Sequence, residues 1–304
     1  MKLRPSPLLL ACTAAIVVAM VPAALSQNAQ RAGRFNAEPN TPFEDAFLRR
    51  ASRISEDETR GPADNNARGL IITEGRWAVL NFSVKGRKYG ISIDGTDGVL
   101  VKNFRFNDRR SRDIYGSGIV VGSKAGARGE SYISNAWIDL GEAGPVPDYK
   151  KANNEGISVE RGNAPVNIRR AVLIGSQESG IDNKGDVRMD AAFIASGHQS
   201  VRVWSGGSLT IANSTILAVP GYSGLWLGGG KAPARFSYYN CRFGRVGDRP
   251  EELTSDPPAW MISIEDESDD VRITRLRNDP FDRGNDSFWQ SVETPIPPGY
   301  LSGR

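Results

Sequence analysis

Cysteine and histidine are almost absent from this chain of 304 residues. It contains two cysteines, Cys12 and Cys241, and one histidine, His198. Cys12 belongs to an N-terminal apolar segment that we expect to be removed, so Cys241 is left without a partner and an intrachain disulfide is excluded. The same scarcity excludes a metal centre that is built on histidine or cysteine ligands.

A large charge of one sign is also lacking. The formal net charge is only +3 at neutral pH. Binding to nucleic acid depends on a strong positive field, because the phosphate backbone supplies most of the attraction. The composition therefore gives no support to a nucleic-acid partner, and we expect none.

A short basic and then apolar segment begins the chain. The basic start Met1-Lys2-Leu3-Arg4 is followed by a mainly apolar run from Leu8 to Leu25. The sequence Ala24-Leu25-Ser26 fits a cleavage site with small residues. We interpret residues 1–26 as a signal peptide. We expect a periplasmic or secreted monomer that has no membrane association after the signal is removed.

Residues 27–68 are predicted to form a polar linker and a capping helix. Thr41 can cap the helix, Pro42 suits its first position, and Glu44 completes a capping box. A single face of this helix carries the apolar residues Phe43, Phe47, Ala51 and Ile54. An array of repeats exposes apolar side chains at its ends. We therefore expect the helix to cover one such end.

A short pattern recurs through the rest of the chain, which is rich in turn residues with 33 glycines and 18 prolines. An apolar strand headed by glycine is followed, after a gap, by apolar-x-apolar-x-Asn-x-x-apolar. The strand heads are Gly69, Gly90, Gly118, Gly156, Gly180, Ser200, Gly224 and Trp260. Short strands that repeat every roughly 20 residues or more predict a solenoid.

Asparagine recurs at one position of this repeat, as Asn81, Asn103, Asn135, Asn213 and Asn240. With the glycine heads, it makes residues 69–278 resemble the right-handed parallel β-helix of the pectate-lyase-like superfamily. The resemblance implies an all-β solenoid whose asparagines stack in a turn that needs a left-handed conformation. Arg170 and Ala191 take this position in two coils, so we expect the ladder to lapse there. Residues 279–304 are predicted to form a C-terminal tail.

Alternation along the glycine-headed strands predicts which side chains share the outer face. Alternate residues of a strand point in opposite directions, so Ile91 and Ile93 face the core while Ser92 and Asp94 face outward. Neighbouring strands lie about 4.8 Å apart, so residues at the same position of successive coils touch. This register brings together Glu160, Asp182, Lys184, Arg202, Trp204 and Trp226.

Aromatic residues beside charges suit a sugar chain, because indole faces stack on sugar rings. We predict that Trp204 and Trp226 bind substrate, with Tyr149 and Tyr222 from neighbouring turns, and that His198 can reach the same cluster. A purely structural interpretation remains open. Asp182 beside Arg202, and Glu160 beside Lys184, are also the cross-strand ion pairs that steady any sheet.

Secreted members of the superfamily are frequently polysaccharide lyases, and this resemblance gives the leading hypothesis for function. β-Elimination on an acidic, uronate-containing polysaccharide needs a neutralised carboxylate, a base and an acid. Arg202, or a Ca²⁺ ion held by Glu160 and Asp182, could neutralise the carboxylate. Lys184 could be the base if its pKa is lowered, and His198 or a nearby tyrosine could protonate the leaving group.

Other functions stay open. Glu160 and Asp182 could supply the carboxylate pair of a glycoside hydrolase, and a uronate C5-epimerase would use the same proton abstraction as a lyase. A non-catalytic polysaccharide-binding protein is the alternative from another class. Catalysis predicts a charged groove walled by the insertions 139–155 and 244–259. A binding protein predicts a shallower surface that Trp204 and Trp226 dominate.

Overall fold

The chain is predominantly β, with one α-helix near its N-terminus. The computed structural model describes residues 38–55, 68–85, 89–107, 116–141, 154–265 and 270–302, so the predicted signal peptide, part of the linker and Tyr149 lie outside the described residues. Helix α1 spans Pro42–Leu48, and 3₁₀ helices span Pro250–Glu252, Ala259–Met261 and Ser287–Trp289. Within the described ranges, no helix is long and apolar enough to cross a membrane.

Parallel strands form two sheets of different size. The eight-stranded sheet contains β2 (Arg68–Ile72), β5 (Tyr89–Ile93), β7 (Gly116–Val121), β9 (Asn154–Val159), β11 (Ser179–Asn183), β14 (Gln199–Trp204), β17 (Leu225–Gly228) and β20 (Ile262–Ile264). Its strands follow one another in chain order. The glycine heads therefore mark successive strands of one sheet, as the repeat predicts.

The second sheet has thirteen strands. It contains β1 (Ser52–Ser55), β3 (Arg76–Leu80), β4 (Ser83–Lys85), β6 (Gly98–Asn107), β8 (Ser131–Asp139), β10 (Val166–Ile174), β12 (Asp186–Asp190), β13 (Phe193–Ser196), β15 (Ser208–Ala212), β16 (Thr215–Ala218), β18 (Ala234–Tyr239), β19 (Arg242–Arg245) and β21 (Val271–Arg275). The chain passes repeatedly from one sheet to the other. This parallel alternation is consistent with a solenoid-like fold.

The main core lies between the two sheets and depends on the glycine heads. Ile91, Ile119 and Ile181 occupy equivalent positions of β5, β7 and β11, and all three are fully buried. A Cβ atom added to Gly90 would lie 2.2 Å from the carbonyl oxygen of Gly118. Glycine is therefore required at this head because successive coils approach too closely for any side chain.

The recurring asparagines adopt the left-handed backbone conformation that their turn was predicted to need. All five, together with Arg170 and Ala191, have φ between 47° and 57°. The Asn103 side chain donates to Asn81 Oδ1 at 2.8 Å, and the Asn135 side chain donates to Asn103 Oδ1 at 2.6 Å. The left-handed conformation is thus a property of the backbone turn. Arg170 and Ala191, in the middle of the stack, adopt it as well.

Other side chains bridge the two places where asparagine is missing. Arg170 donates a hydrogen bond to Asn135, and Asp190 accepts one from Asn213 at 2.8 Å. Two segments outside the sheets contact the chain near these positions. Glu38 contacts Arg170 at 3.2 Å, and Arg283 of the C-terminal tail contacts Asp190 at 2.9 Å. Arg170 and the neighbour of Ala191 thus each form an ion pair with a segment outside the two sheets.

Helix α1 begins with the predicted capping box. The Thr41 amide donates to Glu44 Oε2 at 2.8 Å, and the Glu44 amide donates to Thr41 Oγ1 at 3.2 Å. Phe47 packs with Ala78 and Leu100, which alternate with core residues and therefore lie on the outer face of the thirteen-stranded sheet. The prediction that this helix covers an end of the stack is wrong, because its apolar stripe finds a partner on this outer face.

Candidate functional site

The outer face of the eight-stranded sheet has the register that the repeat predicts. Ser158, Asp182, Arg202 and Trp226 are aligned neighbours on β9, β11, β14 and β17. Glu160 and Lys184 directly follow the ends of β9 and β11, and Trp204 ends β14. The strands thus bring the six predicted residues onto one surface, which we call the charged cluster.

Arg202 is the centre of the charged cluster. Its guanidinium pairs with Glu178 and lies 3.7 Å from Asp182 Oδ1. The same group lies 4.4 Å from the ring centroid of Trp204 and 5.0 Å from that of Trp226. Acids neutralise this cation while both indoles pack against it, so Arg202 is held rigidly and is committed to partners within the protein.

The two indoles form a fixed aromatic pair. Their ring centroids lie 4.9 Å apart, with an angle of 65° between the ring planes. The Trp204 Nε1–H group donates to Asp182 Oδ1 at 2.5 Å. Both indoles are half-buried, and the remaining surface of each ring faces outward. This rigid pair can accept a ligand with little loss of side-chain entropy.

Lys184 does not have the lowered pKa that a base at neutral pH would need. Burial lowers its pKa, but the charges and hydrogen bonds of Asp182 and Glu160 outweigh that effect and raise the pKa above its ordinary value. Its Nζ lies 2.7 Å from Glu160 Oε1 and 3.3 Å from Asp182 Oδ2. The expectation of a lowered pKa is wrong, because two carboxylates surround the ammonium group.

A further acid, Glu155, interacts with the charged cluster and was missed by the sequence reasoning. Burial, followed by the charge of Asp182, raises the pKa of its carboxyl to about 7. Ser117 donates to Glu155 Oε2 at 2.8 Å. Glu155 directly precedes the strand head Gly156, so it falls outside the alternation used to find outward residues. The residues at the equivalent position of the neighbouring coils are Ser117 and Ser179. This row of polar residues is the signal that could have identified Glu155.

Replacing Glu155 with glutamine should change how stability depends on pH. The folded state binds the carboxyl proton more tightly than the unfolded state does, so the free energy of unfolding should fall as pH rises from about 4.5 to about 7. Glu155→Gln should remove this fall and gain up to ~3 kcal/mol relative to the native chain at mildly alkaline pH. Urea unfolding at several pH values measures the difference. Parallel pH profiles for the two proteins would contradict the prediction.

His198 and Tyr222 form a second group at the start of the same strands. Their ring centroids lie 4.5 Å apart. Burial lowers the pKa of His198 below its ordinary value, so the imidazole is neutral at pH 7. His198 follows Gly197 in the turn before β14, one coil after the turn that holds Glu178. His198 and Tyr222 thus lie beside each other. Tyr149 lies outside the described residues.

The insertion 244–259 does not wall the charged cluster. Thr254 pairs with Phe243 of β19 in an isolated antiparallel bridge. Leu253 packs with Val172, Phe193 and Leu217, which belong to the thirteen-stranded sheet. The expectation of a wall from this insertion is wrong, because its apolar residues attach it to the other sheet. Most of the insertion 139–155 lies outside the described residues.

The acids of the charged cluster are not arranged to bind a metal ion. Within the ranges that the structure describes, no group of three or more histidine, cysteine or acidic residues is placed to hold a metal ion. The Lys184 ammonium already lies between Glu160 and Asp182, the two predicted Ca²⁺ ligands. The donor set therefore does not fit Ca²⁺ unless Lys184 moves away.

Acids outnumber bases among the residues that contact one another around Arg202 and Lys184. Four carboxyl groups, Glu155, Glu160, Glu178 and Asp182, accompany two cations, Lys184 and Arg202. Glu155 is partly protonated near neutral pH. Even so, these residues carry no excess positive charge to attract a polyanion.

Comparison with known proteins assigns the chain to no family. No protein-family model matches the chain, and it matches no curated protein and no solved structure.

Proposed function

We propose that residues 69–278 form a right-handed parallel β-helix and that the outer face of its eight-stranded sheet binds a polysaccharide outside the cytoplasm. The alternation between two parallel sheets supports the helical path, and crossovers between parallel strands are almost always right-handed. The N-terminal segment supports export. A flat row of parallel strands offers a long surface, which suits an extended chain of sugars.

One observation carries the functional proposal, namely the half-buried pair of Trp204 and Trp226 that Arg202 and Asp182 fix in place. Arg202 packs against both rings, and Asp182 accepts the hydrogen bond of Trp204. Rigid aromatic faces bind sugar rings through apolar contact and lose little side-chain conformational entropy on binding. The charges of the cluster therefore act as the support of a binding surface.

The same contacts weaken the leading hypothesis from sequence, a polysaccharide lyase. A lyase needs a cation that is free to neutralise the uronate and a base that is unprotonated at working pH. Arg202 is paired with Glu178, and the pKa of Lys184 is raised by Asp182 and Glu160. The excess of acids also favours a neutral polysaccharide over an acidic one.

β-Elimination remains the second candidate because of His198 and Tyr222. A neutral imidazole can take a proton at pH 7, and a phenol can donate one. Their rings lie 4.5 Å apart, and His198 directly precedes β14, the strand that carries Arg202. In this reading His198 takes over the role of base that was predicted for Lys184.

A panel of neutral and acidic polysaccharides separates these functions. We expect the purified protein to be retarded in gels that contain a neutral polysaccharide, without new reducing ends and without the ultraviolet absorbance of an unsaturated uronate. Each assay is repeated with Ca²⁺ and with a chelator. Absorbance that appears only with acidic polymers would replace the proposal with the lyase, and new reducing ends without absorbance would replace it with a hydrolase.

Removing one indole of the pair should weaken binding. Trp226→Ala takes away a stacking surface, and we expect retention by the polysaccharide to fall about tenfold, which corresponds to ~1.4 kcal/mol. Trp260→Ala is the matched control, because Trp260 is 43% exposed and packs on Arg245 away from the charged cluster. Equal losses in the two variants, measured by affinity electrophoresis, would show that the indole pair is not the binding surface.

A further inference from the structure

A polar cleft lies on the other side of the molecule, against the thirteen-stranded sheet. Its volume is about 610 Å³, and the insertion 244–259 and the C-terminal tail form its walls. The residues that line it and bear on its chemistry are Asn240, Arg242, Leu253, Asp279, Arg283 and Leu301. None of them belongs to the charged cluster, so this cleft is a separate candidate site.

The asparagine ladder ends in this cleft. Asn240 donates from Nδ2 to Asn213 Oδ1 at 2.7 Å. Asn240 is the last residue of the ladder, and its own side-chain oxygen accepts no hydrogen bond from the residues that the structure describes. In earlier coils the equivalent oxygen is occupied, as Asn103 Oδ1 is by Asn135. The cleft thus contains a fixed acceptor that a hydroxyl group could fill.

Arg242 supplies an available positive charge beside that acceptor. Its side chain is exposed, and it makes no ion pair or hydrogen bond with the described part of the chain. The other charges of the cleft are satisfied among themselves, because Arg283 pairs with Asp279 at 2.5 Å and with Asp190 at 2.9 Å. Arg242 is therefore the group in the cleft that can bind an added carboxylate.

Apolar side chains complete the cleft. Leu301 is buried, and Ile296 and Leu253 pack with it in a small hydrophobic cluster. Apolar side chains, a hydrogen-bond acceptor and a guanidinium in one cleft suit a molecule with one C–H face, several hydroxyls and one carboxylate. Sugar rings that carry an acid group have all three features.

We propose that this cleft binds a small sugar acid, with Arg242 on the carboxylate and Asn240 on a hydroxyl. Titration calorimetry with galacturonate, galactose and inorganic phosphate tests this. We expect galacturonate to bind best, and Arg242→Gln to weaken it by roughly tenfold or more. Arg235→Gln is the matched control, because Arg235 is an exposed arginine on the adjacent strand β18 outside the cleft.

The site does not depend on the proposed polysaccharide surface, and the experiment keeps the two apart. Trp226→Ala should leave galacturonate affinity unchanged, whereas Asn240→Ala should reduce it. Circular dichroism melting of each variant confirms that it is folded before titration. Absence of galacturonate binding, equal affinity for Arg242→Gln and the native chain, or equally tight binding of phosphate would overturn the proposal.

Discussion

Replacing Arg202 with methionine should lower the free energy of unfolding by about 3–5 kcal/mol at neutral pH. The substitution keeps an apolar stem against Trp204 and Trp226 but removes the charge that Glu178 and Asp182 share. Both acids are almost completely buried. Glu178 loses the cation that it pairs with, whereas Asp182 keeps Lys184 at 3.3 Å. A buried carboxylate that loses a cation must either stay charged at high cost or take up a proton. Chemical unfolding of the two proteins in parallel measures the loss.

The dependence on pH identifies the cause of this loss. The pKa of Asp182 is already raised by burial in the native protein. Removal of the Arg202 guanidinium, which lies 3.7 Å from Asp182 Oδ1, should raise it further. At mildly acidic pH the buried carboxyl groups of the variant take up protons and no longer carry an unpaired charge. The difference in unfolding free energy between Arg202→Met and the native chain should therefore shrink. Arg188→Met is the control, because its pair with Asp186 at 3.8 Å is exposed and should contribute less than about 1 kcal/mol. A loss that stays constant with pH would contradict the electrostatic explanation.

The second large effect is expected where helix α1 meets the sheet. Lys102 and Glu44 form an ion pair whose side chains are 2% and 0% exposed. Lys102 also donates to the Pro39 carbonyl oxygen at 2.8 Å. Lys102→Met leaves Glu44 buried with Arg169, at 3.9 Å, as its remaining cation, and we expect a loss of about 3–5 kcal/mol in unfolding free energy.

A double variant shows whether the unpaired charge causes this loss. Adding Glu44→Gln to Lys102→Met removes that charge and keeps an acceptor for the Thr41 amide, so much of the stability should return. Asp97→Asn is the exposed control, because its pair with Arg128 has side chains that are 54% and 64% exposed, and it should cost less than about 1 kcal/mol. If the double variant is less stable than Lys102→Met, the contact does not act through charge.

The spacing of glycine and asparagine was enough to predict the register of the eight-stranded sheet. Gly90 has no room for a side chain, and Asn103 needs a left-handed turn, so each residue type reports its backbone geometry directly. Once the heads were aligned, strand alternation placed Asp182 beside Arg202 and Arg202 beside Trp226. Local backbone constraints of this kind can be read from a single sequence.

Contacts between distant segments could not be predicted in this way. The pattern of α1 shows that an apolar stripe exists but not which surface covers it. Strand alternation alone therefore places Lys102 as an ordinary outward lysine and does not show that the helix buries it. The pKa of Lys184 depends on two carboxylates from neighbouring positions, and their combined effect exceeds that of burial. Glu155 lies just before a glycine head, where simple alternation fails.

The proposed binding surface is tested most directly by hydroxyl-radical footprinting. The protein is oxidised with and without a polysaccharide that slows its migration in affinity gels. The proposal predicts that the bound polymer protects Trp204 and Trp226, which lie together on the eight-stranded sheet. Trp260, which is exposed elsewhere, should be oxidised at the same rate with and without polymer. Protection of Trp260 with continued oxidation of Trp204 and Trp226, or no protection by any polymer of the panel, would contradict the proposal.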